Sequence, residues 1–214
     1  MRTITNLIMV FAGLAMLVGC QEKQASEVVD GGEIVNNVYT NAYFGFTMAL
    51  PPSWHSQSQQ TQREIVESGL DSLEVNHEAV EASLSQRTVN LIGLFKRPIG
   101  SDGFNPNILG LAERADDVLG LKRGRDYHVY TKKMFATNSV SVSYPQEIYT
   151  ETISGVDFDV MTMKMENNGA ESWHKQYATV RKDYVLLFGL SYDNEADEAE
   201  MDALVRAVVF QQGK

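Results

Sequence analysis

Residues 148–192 read IYTETI SG VDFDVMTMKM ENNGAE SWHKQYATVR KD YVLLFGLSY. This stretch decides the fold, because side chains on a strand alternate between two faces. In the last segment Tyr184, Leu186, Phe188, Leu190 and Tyr192 share one face, while Val185, Leu187, Gly189 and Ser191 share the other. Both faces are apolar or small, as a central strand covered on two sides requires. Ser172–Arg181 alternates more openly, with Trp173, Lys175, Tyr177, Thr179 and Arg181 opposed to His174, Gln176, Ala178 and Val180. Val156–Met165 sets Val156, Phe158 and Val160 against Met161, Met163 and Met165. Ser154-Gly155, Asn167-Asn168-Gly169 and Lys182-Asp183 lie between these runs. Asn-Gly in particular favours the positive φ of a tight hairpin. The pattern predicts sequential antiparallel hairpins, beginning with a strand near Glu147–Ile153, and not βαβ crossovers.

The chain has 214 residues, enough for one domain with accessory segments. Lys plus Arg number 18 and Asp plus Glu 28, a net charge of −10. So acidic a chain is poorly suited to nucleic acid, and no nucleic-acid partner is expected. A single cysteine excludes an intramolecular disulfide and any multi-cysteine metal site.

That cysteine has a telling position. Met1-Arg2 is a positive start and Leu7–Val18 an apolar run too short to span a bilayer as a stable helix. The run closes on Leu17-Val18-Gly19-Cys20, which resembles the bacterial lipobox. The resemblance implies a signal peptide over residues 1–19 and lipidation (diacylglyceryl and palmitate-type acyl chains) of Cys20. Several acyl chains at about 0.8 kcal/mol per buried CH₂ make a permanent anchor. Gln21 at the next position implies delivery to the outer membrane, facing the periplasm. Residues 20–37 are polar, carry Gly31-Gly32, and read as a flexible tether with a reach of roughly 25 Å.

The folded domain is expected over 38–214. Phe44, Phe46, Met48 and Leu50 share a strand face before Pro51-Pro52 ends it. Gln62–Gln86 has Val66, Leu70, Leu73, His77, Val80 and Leu84 at alternating spacings of four and three, the stripe of a long helix whose other face is acidic and solvated. Thr88–Phe95 and Ile108–Ala112 read as strands. Gly124 to about Ala136 reads as a shorter helix with Tyr127, Tyr130 and Met134 inward. A last helix follows Asp193 or Asn194 as cap, with Glu195, Asp197 and Glu198 at its positive end and Met201, Leu204, Val205 and Val208 in one stripe. Phe210 is expected to close the core.

Tyr43-Phe44-Gly45-Phe46-Thr47-Met48 followed by Leu50-Pro51-Pro52-Ser53-Trp54 resembles the opening of PsbP-like domains, and the C-terminal meander and last helix follow the same order. The resemblance spans roughly Val38 to Phe210 and rests on packing residues, not on chemistry. It implies an α+β fold, an antiparallel sheet of about six strands sandwiched between helices. It also implies an accessory, protein-binding role.

Chemistry is harder to find. His55, His77, His128 and His174 show no ligand spacing, and no Gly-x-Ser-x-Gly, phosphate loop or His-Glu-x-x-His occurs. Asp157 and Asp159 share a strand face, which reads as solubility more readily than as acid–base chemistry. Met161, Met163 and Met165 suit a core beneath a helix better than soft Cu(I). Gly189 suits close helix packing, and Trp54 and Trp173 read as core or rim. Lys122, Arg123, Arg125, Lys132 and Lys133 form a basic cluster in an acidic chain, suited to an anionic head group or an acidic partner. The expectation is a non-catalytic lipoprotein without cofactor or metal, held to the membrane through Cys20 and binding an envelope protein. The alternative is a carrier of a small apolar ligand or lipid.

Overall fold

The computed structural model describes residues 29–57, 88–115, 120–136, 141–167 and 169–211. Cys20, the signal segment, the expected helix Gln62–Gln86 and His77 lie outside the described residues. Two antiparallel sheets account for the strands. The larger contains β4 (His55–Gln57), β5 (Thr88–Phe95), β6 (Asn107–Arg114), β7 (Ser141–Ser143), β8 (Tyr149–Ile153), β9 (Val156–Asn167), β10 (Ala170–Arg181) and β11 (Tyr184–Tyr192). Its order is β4-β5-β6-β11-β10-β9-β7, with β8 also paired to β9. The smaller contains β1 (Glu33–Val35), β2 (Val38–Asn41), β3 (Phe46–Ala49) and β12 (Val209–Phe210), in the order β1-β2-β3-β12. Helices α1 (Gly124–Phe135) and α2 (Glu195–Arg206) complete the described elements.

The meander expected over 148–192 is the spine, with β11 interior between β6 and β10. Tyr177 lies opposite both Phe188 and Val160, and Phe188 lies opposite Gly110. Opposed residues share a face, so this register brings one greasy surface together across four strands. Phe46 and Phe210 of the small sheet close over it, with ring centroids 5.6 Å between Phe46 and Phe188 and 5.9 Å between Phe158 and Phe210. Met201 and Val205 of α2 join the same core. The reverse face holds Ala178, Val185 and Leu187, with Tyr127 of α1 packed against them. Helices therefore flank the large sheet on opposite sides, and the small sheet shares one side with α2.

Three expectations need correction. The described strands form sheets of eight and four, not one sheet of about six. The members that the sequence did not reveal, β1, β2, β4, β7 and β12, are two to four residues long, too short for alternation to declare them. The tether expected over 20–37 runs too far: Gly31 accepts a 2.8 Å bond from the Tyr39 hydroxyl, and β1 pairs with β2. Gly32, at φ +72°, is held where a Cβ would lie 2.5 Å from the Thr40 carbonyl oxygen, so glycine there serves close docking. The third correction concerns α1.

Candidate functional site

The expected basic cluster lies on α1 and the residues leading into it. Its inward face is Gly124, His128 and Thr131, with Tyr127 half-buried against the sheet as expected, whereas Tyr130 and Met134 do not face inward. A Cβ on Gly124 would lie 2.0 Å from the Ala178 carbonyl oxygen. The helix thus sits directly on the backbone of β10, which leaves no room for a side chain at Gly124. The polar groups of this face are bonded at Thr131 and at one ring nitrogen of His128, while Nδ1 of His128 has no hydrogen-bond partner among the described residues. The Thr131 hydroxyl donates to the Tyr127 carbonyl at 3.1 Å, and Nε2 of His128 bonds the Asp159 carbonyl oxygen at 2.9 Å. Burial drives the His128 pKa down, so the ring is neutral at neutral pH. Tyr127 is half-buried with its hydroxyl on Glu113, whereas Tyr130 and Met134 turn outward.

Asp159 anchors the helix start. Its carboxylate accepts the backbone N–H of Arg125 at 2.7 Å and the Thr150 hydroxyl at 2.8 Å. Negative charge at the first turn also suits the helix dipole. Asp126 reaches back to accept the backbone N–H groups of Lys122 and Arg123 at 3.0 and 3.2 Å.

The five basic residues then divide. Arg125 donates to the Ile148 carbonyl at 2.6 Å, and Lys132 sits 4.4 Å from the centre of the Tyr144 ring. Both are spent within the fold. Lys122, Arg123 and Lys133 are exposed. With them on the outer surface of α1 stand Val129, 44 % exposed, and Tyr130, 52 % exposed. The result is an apolar centre with cationic neighbours, a pattern that periodicity alone assigned to the core.

The second concentration of charge is the seam between α2 and the sheet. Asn194 is the cap, its side-chain oxygen accepting the Asp197 N–H at 3.0 Å. Lys96 reaches from the end of β5 to Asp197 at 2.6 Å and Glu200 at 2.7 Å, and Glu200 also accepts the Trp54 indole N–H at 2.9 Å. Lys175 meets Asp202 at 2.6 Å and Glu198 at 3.1 Å, and the Tyr177 hydroxyl donates to Asp202 at 2.8 Å. Arg206 bridges to Glu151. The hydrogen bonds that Lys96 donates to Asp197 and Glu200 raise its pKa. The same lysine lowers Glu200, and it outweighs the burial that would raise Asp197. Burial pushes Tyr177 up, reinforced by the charge of Asp202. Lys96, Asp197 and Glu200 are held as ions and Tyr177 as a phenol, and they clamp the helix to the sheet. They are not poised to exchange protons near neutrality.

The remaining sequence candidates are dispersed. His55 is exposed on β4, while His174 is half-buried on β10 with its ring nitrogens bonded to the hydroxyls of Ser172 at 3.1 Å and Ser191 at 3.0 Å. Asp157 is exposed and bonded to Thr152. Met161 and Met163 pack with Ile148 beneath Phe135 of α1. Trp54 is core, and Trp173 is half-buried at the core's edge. Among the described residues no three His, Cys, Asp or Glu side chains converge as metal ligands, and no helix is long and apolar enough to cross a membrane. The buried role of Asp159 and the pairing of α2 escaped sequence reasoning, since neither has a spacing signature.

With this geometry in hand, comparison with solved structures is informative. The chain superposes on the solution structure of cyanobacterial PsbP (CyanoP) from Synechocystis sp. PCC 6803 with a TM-score of 0.52, at 11 % identity, covering 86 % of this chain and 98 % of that one. It superposes on the crystal structure of LpqN, involved in cell envelope biogenesis of Mycobacterium tuberculosis, with a TM-score of 0.50, at 10 % identity, covering 78 % and 83 % of the two chains. The architecture is therefore an α+β fold of the PsbP-like kind. No family model and no curated protein matches the sequence.

Proposed function

We propose that this protein is a lipid-anchored accessory factor of the bacterial cell envelope that works by docking to a protein partner and not by catalysis. One observation carries the reading: on a chain of net charge −10, the outer face of α1 exposes Val129 and Tyr130 beside Lys122, Arg123 and Lys133. An apolar centre with a cationic rim complements a partner surface with acidic side chains around an apolar patch. The lipobox-like Leu17-Val18-Gly19-Cys20 supports an anchor at Cys20, and Gln21 supports outer-membrane delivery facing the periplasm. The envelope role attached to LpqN supports the setting. The carrier alternative is weaker: between the two sheets the interior is filled by Phe46, Phe158, Phe188 and Phe210, with Met201 and Val205 of α2 in the same core.

The test is crosslinking in cells followed by partner identification, comparing the native chain with Tyr130→Ser/Lys133→Glu and with Cys20→Ala. The face variant should fold normally and lose capture of an envelope protein. The Cys20 variant should leave the membrane fraction and carry no fatty acid. Undiminished capture by the face variant rejects the docking surface, and undiminished membrane association of the Cys20 variant rejects the anchor.

A further inference from the structure

The small sheet turns one face to the core and the other away from it. Tyr39, Phe46 and Met48 point inward and are buried, so their neighbours along β2 and β3 point outward. In one outward row Val35 lies opposite Val38, and Val38 opposite Ala49. In the next row Thr40 lies opposite Thr47, and Thr47 opposite Val209. Val35 is 55 % exposed and Val209 56 %, and Val38 and Ala49 are exposed as well. We infer that this face rests on the lipid bilayer that holds Cys20. The inference depends on the anchor proposed above and adds which side of the domain meets lipid.

The length of the tether is the first argument. From Asp30 onward the chain is bonded to this sheet: the Asp30 carbonyl accepts the Asn41 amide at 3.1 Å, and the Gly31 carbonyl accepts the Tyr39 hydroxyl at 2.8 Å. Ten residues then separate Asp30 from Cys20, and they span at most about 36 Å in any conformation. A domain of about 180 residues has a radius of gyration of about 16 Å and is therefore about 40 Å across. To stand with the small sheet uppermost, the domain would have to lift Asp30 through that whole width, which the tether does not allow. The small sheet is thus the part of the fold kept nearest to the membrane.

The chemistry of the face is the second argument. The chain carries a net charge of −10, so most of its surface is repelled by anionic lipid. The two outward rows are valine, alanine and threonine, and Glu33 stands only at their margin, opposite Thr40. The Asp30 carboxylate, where the tether enters, is turned back onto the Gly32 N–H at 3.0 Å. β1 closes this sheet with no strand beyond it among the described residues, and Ile34 on it is 43 % exposed. An open apolar edge invites pairing with other chains unless something covers it. The head-group boundary of a bilayer offers apolar surface to the valines and hydrogen-bonding groups to the open edge. A few valines bind a membrane weakly by themselves, but on a short tether the contact becomes intramolecular and weak contacts suffice. The small sheet and α1 lie on opposite sides of the large sheet. This orientation therefore turns Val129 and the basic residues around it away from lipid, where a protein partner can reach them.

The test uses the mature lipidated chain in vesicles of phosphatidylethanolamine with a minor share of phosphatidylglycerol and a nitroxide-bearing lipid. Cys20 is the chain's only cysteine and is taken by the lipid, so one added cysteine carries a unique fluorophore. A label at Ala49→Cys should be quenched severalfold more strongly than one at Val129→Cys. Val35→Asp/Val209→Asp should bring the Ala49 label down to the level of the Val129 label while the protein stays in the vesicle fraction. Equal quenching at the two sites in the lipidated chain, or stronger quenching at Val129, overturns the inference and leaves the anchor standing. So does an Ala49 label unmoved by the double substitution. Shielding of Ala49 that appears only as the ratio of protein to lipid rises gives the face to a second copy of the chain and likewise overturns it. A chain that carries no fatty acid removes the tether and overturns both readings together.

Discussion

Nζ of Lys175 lies 2.6 Å from Oδ2 of Asp202, with both side chains less than a tenth exposed. The pair joins the middle of the large sheet to α2, and Tyr177 completes the carboxylate from the neighbouring position on the same face. Burial alone would lower the Lys175 pKa, but the bond and charge of Asp202, with Glu198 in support, leave it raised. A lysine held above its ordinary value stabilises the fold fully below that value and loses the contribution as pH rises through the elevated one, so neutral solutions keep it whole. Removing one partner strands the other charge in the interior. Lys175→Met or Asp202→Asn should each cost about 3–5 kcal/mol, whereas the double replacement Lys175→Met/Asp202→Asn should recover much of the loss. Urea unfolding of the four proteins checks this, and additive losses in the double variant would show that the two residues do not act as a pair.

The seat of α1 makes a second prediction. Gly124 touches the β10 backbone, and the methyl of Gly124→Ala would have to displace a carbonyl, not a flexible side chain. The helix must then lift, at about 1–3 kcal/mol. Asp159→Asn attacks the same seat by weakening the acceptor for the Arg125 N–H, at a cost of about 1–2 kcal/mol. Lifting the helix also displaces its outer face, so hydrogen exchange should quicken at Val129 and Tyr130 in both variants while the amides of β11 stay protected. Unchanged exchange along α1 would count against this seat.

The β1–β2 hairpin turns on Asn36 and Asn37, both at positive φ, 51° and 58°. Asparagine tolerates that region and alanine does not do so without strain. Asn37→Ala should therefore cost about 1 kcal/mol, concentrated at this edge. Exchange at Ile34 and Tyr39 should quicken, with the large sheet unaffected. A loss spread evenly through the protein would mean that this hairpin unfolds only with the whole.

What could be read from the sequence follows element length. Strands β9, β10 and β11 are nine to twelve residues long, so alternation had room to declare itself, and the turns between them carried their own chemistry. The smaller sheet was legible only in Phe46 and Met48 of β3, because β1, β2 and β12 carry too few residues to show a period. The helices were legible as helices but less so in orientation. In α1, periodicity sent Tyr130 inward by its size, while the backbone contact at Gly124 decided that small and polar residues face the sheet. In α2, Asp197 read only as a charge at the helix's positive end, and Asp202 carried no signal at all. Their partners Lys96 and Lys175 are remote in the chain, and pairing at such separation has no local signal. The same holds for Trp173, Tyr192 and Glu198, which come together only once β10, β11 and α2 have packed.

Two histidines predict how the fold responds to acid. Burial lowers the pKa of His174 to about 4 from an ordinary 6.5, and burial likewise lowers His128, outweighing its bond to the Asp159 carbonyl. A group whose folded pKa is depressed contributes stability that is complete above the unfolded value and is lost as pH falls towards the folded one. Stability should accordingly be level above about pH 7 and decline between pH 6.5 and 4, as the unfolded chain takes up protons that the folded chain refuses. The carboxylates paired with Lys96, Asp197 and Glu200, are depressed as well and add their loss lower still, as pH falls below their ordinary values of 3.8 and 4.5. His174→Asn keeps a side chain able to bond Ser172 or Ser191 but does not titrate, so it should flatten the decline between pH 6.5 and 4 while leaving the steeper acid limb in place. Urea midpoints measured at half-unit steps from pH 8 to 3.5 decide the matter. If native and variant curves stay parallel across the histidine range, the ring of His174 is already free to protonate in the folded state, and its place between the two serine hydroxyls does not hold it neutral.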